Sequence, residues 1–281
     1  MNQNEFEQCL CFIEKNLKEK LTLDEIALQS GYSRFHFCRD FKKFSGVSTM
    51  KYVTMRKLIS AAEEIKNGRK IIDVALDYQF TSHSCFTMIF KREIGFHPSL
   101  LKFNEKLGGK YMEMKELKKE ECIHILMDNC DHDKLYACLQ AAEKLYAGEI
   151  RYSQEEYITH PLNTAVILVN MEANEDIILA GLFCDCYEKG REYLNLKNKI
   201  PQDVWKIVEG LNTDDWEHMS DEVLMVRTAA RLHNMQTLSY MPIEKQKEKA
   251  EETLFLLSSI RKRIENLSVI EQLSYLSMQY L

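Results

Sequence analysis

Leu23-Asp24-Glu25-Ile26-Ala27, Ser30-Gly31-Tyr32-Ser33, Phe37, Arg39, Phe41-Lys42-Lys43 and Gly46 make up one pattern, and Ile72-Asp73-Val74-Ala75, Phe80-Thr81-Ser82, Phe86, Phe90-Lys91 and Gly95 repeat it. Ile26 maps to Val74 at an offset of 48, whereas Phe37, Phe41 and Gly46 map to Phe86, Phe90 and Gly95 at 49, so the second turn carries one more residue. Each copy predicts a short helix with an apolar-alanine packing pair, a tight turn, and a second helix that shows polar and basic residues outward. Gly31 suits a turn position with positive φ, and Ser33 suits the N-cap of the following helix. That helix is predicted over 33–44, with Phe37, Phe41 and Phe44 at helical spacing on its inner face.

Between the copies, Tyr52, Val53, Leu58, Ala61, Ala62 and Ile65 predict one continuous helix over 50–67, ended by Asn67-Gly68. Such a helix fixes the spacing of the two outward-facing helices. A single copy reads equally well as a solvated basic helix of an ordinary helical domain. Two copies in register favour a module that reads double-stranded DNA.

The closing run Lys91-Arg92-Glu93-Ile94-Gly95-Phe96-His97-Pro98-Ser99 completes a resemblance: residues 5–104 are similar to the bipartite DNA-binding domain of AraC/XylS-type regulators. The resemblance implies that both second helices enter major grooves. Ser33, Arg34, His36 and Arg39 would face DNA from the first copy, and Ser82, His83 and Thr87 from the second. Lys42, Lys43, Lys91 and Arg92 are placed for phosphates, which position a protein without specifying sequence. The second copy departs from the pattern at Gln79, where the family has the turn glycine, and at Met88, where it often has arginine. The first helix is therefore expected to supply more of the specificity, since an arginine bidentate to guanine is worth about 1–3 kcal/mol and methionine cannot make that contact.

Charge divides the chain into unlike halves. Residues 1–105 hold 16 Lys and Arg against 13 Asp and Glu, the remainder 21 against 30, within a total of −6. A weakly basic module joined to an acidic one fits DNA binding by the first and sensing or self-association by the second. Nine cysteines without CxxC spacing, and no apolar run of membrane-spanning length, point to reduced core thiols in a cytoplasmic protein. Gly108-Gly109 and the charged stretch after it predict a linker over 107–132, between a first domain at 1–106 and a second at 133–281.

In the second half, Tyr157-Ile158-Thr159-His160-Pro161-Leu162, then Ala180-Gly181-Leu182-Phe183-Cys184-Asp185, then Ala230-Arg231-Leu232-His233-Asn234-Met235 follow one another in a helix-rich context. In this order they resemble the HD-type hydrolase domain of RelA/SpoT proteins. The fold class expected is all-α: a double helix-turn-helix domain followed by an HD-type helical bundle. The family removes pyrophosphate from guanosine tetraphosphate and pentaphosphate with one manganese ion held by His, His-Asp and a distant Asp. The resemblance matches His160 and Asp185 to two of those ligands, but Cys184 and Ala230 stand at the other two. Glu188 is retained from the following acidic pair, whereas Lys189 replaces its partner. Neither a bound metal, a cofactor nor a catalytic residue is expected from such a set.

What remains suits binding. By the same resemblance Arg151 and Ser153 would help hold a guanine nucleotide and Asn234 would lie near its ribose; His160, Asp185, Glu188 and Lys189 complete the candidate ligand site, where Lys189 would offset phosphate charge in place of the lost metal. Three readings stay open: a sensor of guanosine tetraphosphate or a related nucleotide, a scaffold for dimerisation or protein contact, and a residually active pyrophosphohydrolase. In the tail, Leu254, Leu257, Ile260, Ile264 and Leu267 predict packing into the bundle, while Leu273, Leu276 and Tyr280 predict a face for a homodimer.

Overall fold

The computed structural model describes residues 1–102, 116–189, 193–213 and 215–281, of which the side chains at 189, 193–195 and 258 are left aside. The chain divides into two compact units, one on each side of the segment that follows residue 102. Among the described residues there is no strand, only one isolated bridge between Ile150 and Glu156. No helix among them is long and apolar enough to cross a membrane.

The first unit is built from α1 (Gln3–Lys15), α2 (Leu23–Gln29), α3 (Arg34–Ser45), α4 (Thr49–Lys66), α5 (Ile71–Asp77), α6 (His83–Ile94) and a closing 3₁₀ turn at Pro98–Lys102. The helix between the two copies is the hub. Val53, Met55, Leu58, Ile59, Ala61, Ala62 and Ile65 of α4 are all buried, and α3, α5 and the 3₁₀ turn pack on it. Ile26-Ala27 and Val74-Ala75 are buried as matching pairs, as are Phe37 with Phe41 and Phe86 with Phe90. Both second helices stop at a left-handed glycine, Gly46 and Gly95. The turns also match, since Gly31 at φ +70° and Gln79 at φ +64° hold the same left-handed conformation.

Two local expectations change. Ser33 stands at the N-cap of α3 but makes no capping hydrogen bond; its Oγ lies 3.2 Å from His36 Nδ1 instead. Phe44 is an edge residue, 38 % exposed and stacked on Phe6 at 5.2 Å, because it lies off the i, i+4 line of Phe37 and Phe41.

The second unit contains α7 (Lys119–Asn129), α8 (His132–Leu145), α9 (Thr159–Asn170), α10 (Glu175–Gly181), the short α11 (Cys186–Lys189), α12 (Gln202–Gly210), α13 (Asp221–Gln236), α14 (Ile243–Ile260) and α15 (Leu267–Gln279). Its centre is α9, where every residue from His160 to Leu168 is buried. Helices α7, α10 and α13 surround it. Pro161 is tolerated there because the first turn of a helix has no carbonyl partner for its missing N–H. Gly181 is required by close approach: a Cβ at that position would lie 2.7 Å from Leu168 Cδ1 and 3.2 Å from Ala165 Cα.

The linker expected over 107–132 is shorter at its far end. Cys122 and Leu126 of α7 are fully buried, so this helix belongs to the bundle; the part of the linker at 107–115 lies outside the described residues. The tail also packs inward. Leu273 is fully buried on α15, which removes it from the expected self-association face, while Leu276 and Tyr280 are half-buried and Leu267 is 68 % exposed.

Candidate functional site

The first candidate surface is carried by α3 and α6. Packing of their phenylalanines fixes which way the remaining side chains point. Ser33, Arg34, His36, Arg39, Lys42 and Lys43 are exposed on the first copy, and Ser82, His83, Lys91 and Arg92 on the second. Thr87 is the exception among the expected DNA-facing residues. It flanks the buried stripe, is half-buried, and its Oγ1 is enclosed without a hydrogen-bond partner, whereas the adjacent Met88 is 61 % exposed. Ser82 is engaged in the cap of α6, its Oγ accepting from the Cys85 N–H at 3.1 Å.

Three of the arginines are paired to neighbouring carboxylates: Arg34 to Asp24 at 3.5 Å, Arg39 to Asp40 at 3.1 Å and Arg92 to Glu93 at 2.7 Å. Such exposed pairs are worth at most about 1 kcal/mol and exchange readily for phosphate or base contacts. Sequence reasoning missed Phe35, which is 76 % exposed on α3 beside His36; an aromatic left outside a well-packed helix is the signal for it.

The second candidate surface lies inside the bundle, where four elements converge. The turn before α9 brings Arg151 and Tyr157, the first turn of α9 brings His160, the turn after α10 brings Cys184 and Asp185, and α13 brings His233 and Thr237. His160 and Asp185, matched from the sequence, do meet: His160 Nε2 lies 3.2 Å from Asp185 Oδ2, off the line of a hydrogen bond. Cys184 joins them, and donor atoms of the three lie within 4.8 Å of one another. Tyr157 donates to Asp185 Oδ2 at 2.6 Å, and the Cys184 thiol donates to Thr164 Oγ1 at 3.8 Å.

Arg151 connects this cluster to the start of the unit. Its Nη1 lies 3.1 Å from His233 Nδ1 and 3.4 Å from Glu116 Oε1, and its Nη2 donates to Thr237 Oγ1 at 2.8 Å. His233 Nδ1 in turn is 2.8 Å from His160 Nδ1. Glu116, Tyr157, His233 and Thr237 had no role from sequence. His233 lies in a motif that was legible and Thr237 follows it by one helical turn, but Glu116 reaches the cluster from before α7, and only the fold brings it there.

Asn234 is exposed, pointing away from the buried His233. Ser153 lies in the same turn as Arg151, its Oγ 3.4 Å from Glu155 Oε2. Glu188 is exposed, 3.9 Å from Arg227 Nη1, and the side chain of Lys189 lies outside the described residues.

Burial drives the electrostatics. It lowers His233 to about 4, with His160 and Arg151 acting in the same direction and Glu116 opposing them, so this ring is neutral. Burial alone would raise Asp185, but His160, the Tyr157 hydroxyl and Arg227 outweigh it and hold the carboxyl well below its usual range. Glu116 is lowered by the facing His233 ring against burial, with Arg151 adding to it. Burial pushes the Cys184 thiol and, together with Asp185, the Tyr157 hydroxyl well up.

The manganese implied by the RelA/SpoT resemblance does not fit these donors. Ala230 is buried and offers no ligand, and a hard cation would be left with one imidazole, one carboxylate and a protonated thiol.

Comparison with known proteins agrees with both units. Residues 26–102 match the family described as "Helix-turn-helix domain", and residues 138–215 match "HD domain". A solved structure described as "A metazoan ortholog of SpoT hydrolyzes ppGpp and plays a role in starvation responses" is similar over 50 % of this chain and 93 % of its own, at 18 % identity and a TM-score of 0.46. The "HTH-type transcriptional activator AarP" of Providencia stuartii is 38 % identical over 99 residues, 35 % of this chain and 73 % of that protein. The "Probable transcription factor PqrA" of Proteus vulgaris is 38 % identical over 108 residues, 37 % of this chain and 87 % of its own. Both relatives match the part of the chain that holds the duplicated motif, and through it this chain belongs to the AraC-type helix-turn-helix transcriptional regulators.

Proposed function

We propose that the chain binds specific double-stranded DNA through α3 and α6 together, and that its HD domain is a regulatory domain that takes an anionic ligand of the guanosine tetraphosphate type. The observation that carries the DNA reading is the duplicated display: two helices, held by one hub helix, turn basic and polar side chains outward while their phenylalanines are buried. On this reading Arg34, His36, Arg39, Ser82 and His83 contact bases, while Ser33, Lys42, Lys43, Lys91 and Arg92 hold the backbone.

The ligand reading rests on Arg151, which the RelA/SpoT resemblance assigns to a guanine nucleotide, and on the polar cluster behind it. Turnover is not part of it, since two of the four expected metal donors are replaced. A ligand phosphate or guanine that takes Arg151 has to displace Glu116, and the binding energy is what shifts the protein between states.

A second reading, the scaffold, is favoured by the same contacts taken differently. Arg151 is already satisfied by Glu116, His233 and Thr237, which is how a structural arginine looks. Calorimetric titration of guanosine tetraphosphate into the full chain, with recovery of the nucleotide afterwards, separates the readings. Saturable binding with intact nucleotide supports the sensor, no heat supports the scaffold, and released pyrophosphate supports a hydrolase.

A further inference from the structure

The two helix-turn-helix copies close their first helices in different ways. Ser30 and Tyr78 correspond at the offset of 48. In the first copy Ser30 closes α2 locally, its Oγ donating to the Ala27 carbonyl at 2.7 Å. In the second copy the end of α5 is closed from the hub helix, where Lys57 Nζ donates to the Tyr78 carbonyl at 3.1 Å. A cation placed there meets carbonyls that a helix leaves without partners of its own. The same ammonium donates to the Glu19 carbonyl at 3.0 Å, in the segment that leads from α1 to the cap of α2. Lys57 is half-buried, and its one charge ties a main-chain carbonyl of each half to α4.

A separate set of side chains makes the same connection. Tyr78 is 4 % exposed, and its hydroxyl donates to Glu64 Oε1 at 2.9 Å. Lys18, which follows α1, lies 2.9 Å from that oxygen and 5.4 Å from the centre of the Tyr78 ring. Glu64 also pairs with Arg69, which reaches on to Asp77 of α5 at 2.8 Å. On the side of the first copy, Arg56 of α4 holds Glu14 of α1 through two bonds of 2.6 and 3.0 Å. Tyr78 is thus gripped three ways: its ring by Lys18, its hydroxyl by Glu64 and its carbonyl by Lys57.

We infer that Lys18, Lys57, Glu64 and Tyr78 form a joint that fixes α6 in register with α3, and so sets the spacing between the two DNA segments that the chain accepts. The inference rests on the proposed reading of DNA by both helices together. Apolar packing against the hub is non-directional, whereas hydrogen bonds to fixed carbonyls are directional. Tyr78 stands directly before Gln79, whose left-handed turn leads to Ser82, the cap of α6. A shift at Tyr78 is therefore passed to the second reading helix. None of the four is among the side chains proposed to face DNA; they are positioning residues, which act on binding through the placement of α6. Two linked binding elements gain most when the link matches the span of their sites, and a stiff link narrows that match.

Duplexes enriched from a random pool by the full wild-type chain are the probe, with block scrambling to locate their two halves. One base pair inserted between the halves moves one by about 3.4 Å and turns it by about 35° relative to the other. Wild type is expected to lose roughly tenfold or more in affinity on that insertion. Lys57→Met keeps the apolar stem and removes both bonds, and it is expected to lose roughly threefold or less. On a duplex that keeps a single half, the two proteins are expected to bind alike. A variant as sensitive to the insertion as wild type overturns the joint. So does an equal loss by the variant on whole and single-half duplexes, which is what a merely weakened fold would give. If scrambling shows that only one half matters to wild type, the two-helix reading itself fails and the joint falls with it. Should Lys57→Met not fold, Tyr78→Phe decides, because it keeps the ring beside Lys18 and removes only the bond to Glu64. A spacing preference in Tyr78→Phe as sharp as that of wild type then overturns the joint, and a broader one supports it.

Discussion

The two helix-turn-helix copies share a core and differ at the surface, and the difference teaches which constraints folding imposes on such a module and which it leaves free. Ile26-Ala27 with Phe37 and Phe41 is matched by Val74-Ala75 with Phe86 and Phe90, each residue buried to within a few per cent. Outside that core, Arg39 corresponds to Met88 and His36 to Cys85, at the offset of 49 that aligns the phenylalanines. Burial tolerates few alternatives, because every lost methylene leaves a cavity. On the proposed reading the exposed positions answer to DNA, and there the copies have parted. The first presents two arginines ahead of its lysines; the second presents a histidine and serines, with cations only in its last turn.

If the cores are equivalent, Phe41→Ala and Phe90→Ala should each destabilise the first unit by about 3–5 kcal/mol, and by similar amounts. Urea unfolding of the two variants checks it; a loss at one position of less than half that at the other would break the equivalence. The surfaces should not be equivalent. Arg39→Ala is expected to weaken operator binding by about 1–3 kcal/mol, or roughly 5- to 150-fold, and Met88→Ala by less than threefold. Fluorescence anisotropy at fixed salt, against operator and random duplex, tests both. Equal losses on the two duplexes would make Arg39 a phosphate contact. Met88→Arg sharpens the contrast, since a cation there should strengthen binding and steepen its salt dependence.

The fold was legible from this chain wherever chemistry and burial coincide. The phenylalanine spacing, the hub helix and the left-handed turn at Gly31 could be read directly, because each is dictated by local sterics or by one-sided burial. Thr87 was misplaced because it borders the buried stripe, where a helical count alone cannot tell inward from outward. In the second unit, His160 and Asp185 could be paired from motif order, yet the partners that decide their chemistry could not. Glu116 and His233 lie 117 positions apart in sequence, and a contact made by tertiary folding leaves no periodic trace in either segment. The inclusion of α7 in the bundle was hidden for a related reason: Cys122 and Leu126 are too few to outweigh the charge around them.

The smallest expected effect concerns the turns, where the copies hold one conformation with different residues. Gly31 and Gln79 both sit at left-handed φ, which a residue with a Cβ occupies at a cost of roughly 1–2 kcal/mol. Nothing lies within 4 Å of a Cβ built on Gly31, so Gly31→Ala carries the backbone cost without a steric one. It should destabilise the first unit by about 1 kcal/mol. Gln79→Gly should act in the opposite sense and by less, about 0.5–1 kcal/mol, because relief of the native strain is partly offset by the greater freedom of glycine in the unfolded chain. Thermal melting of the two single variants tests the pair. A Gln79→Gly protein no more stable than wild type would mean that the longer second turn stabilises its glutamine by contacts that the first turn lacks, and the copies would then differ in their turns as well as in their surfaces.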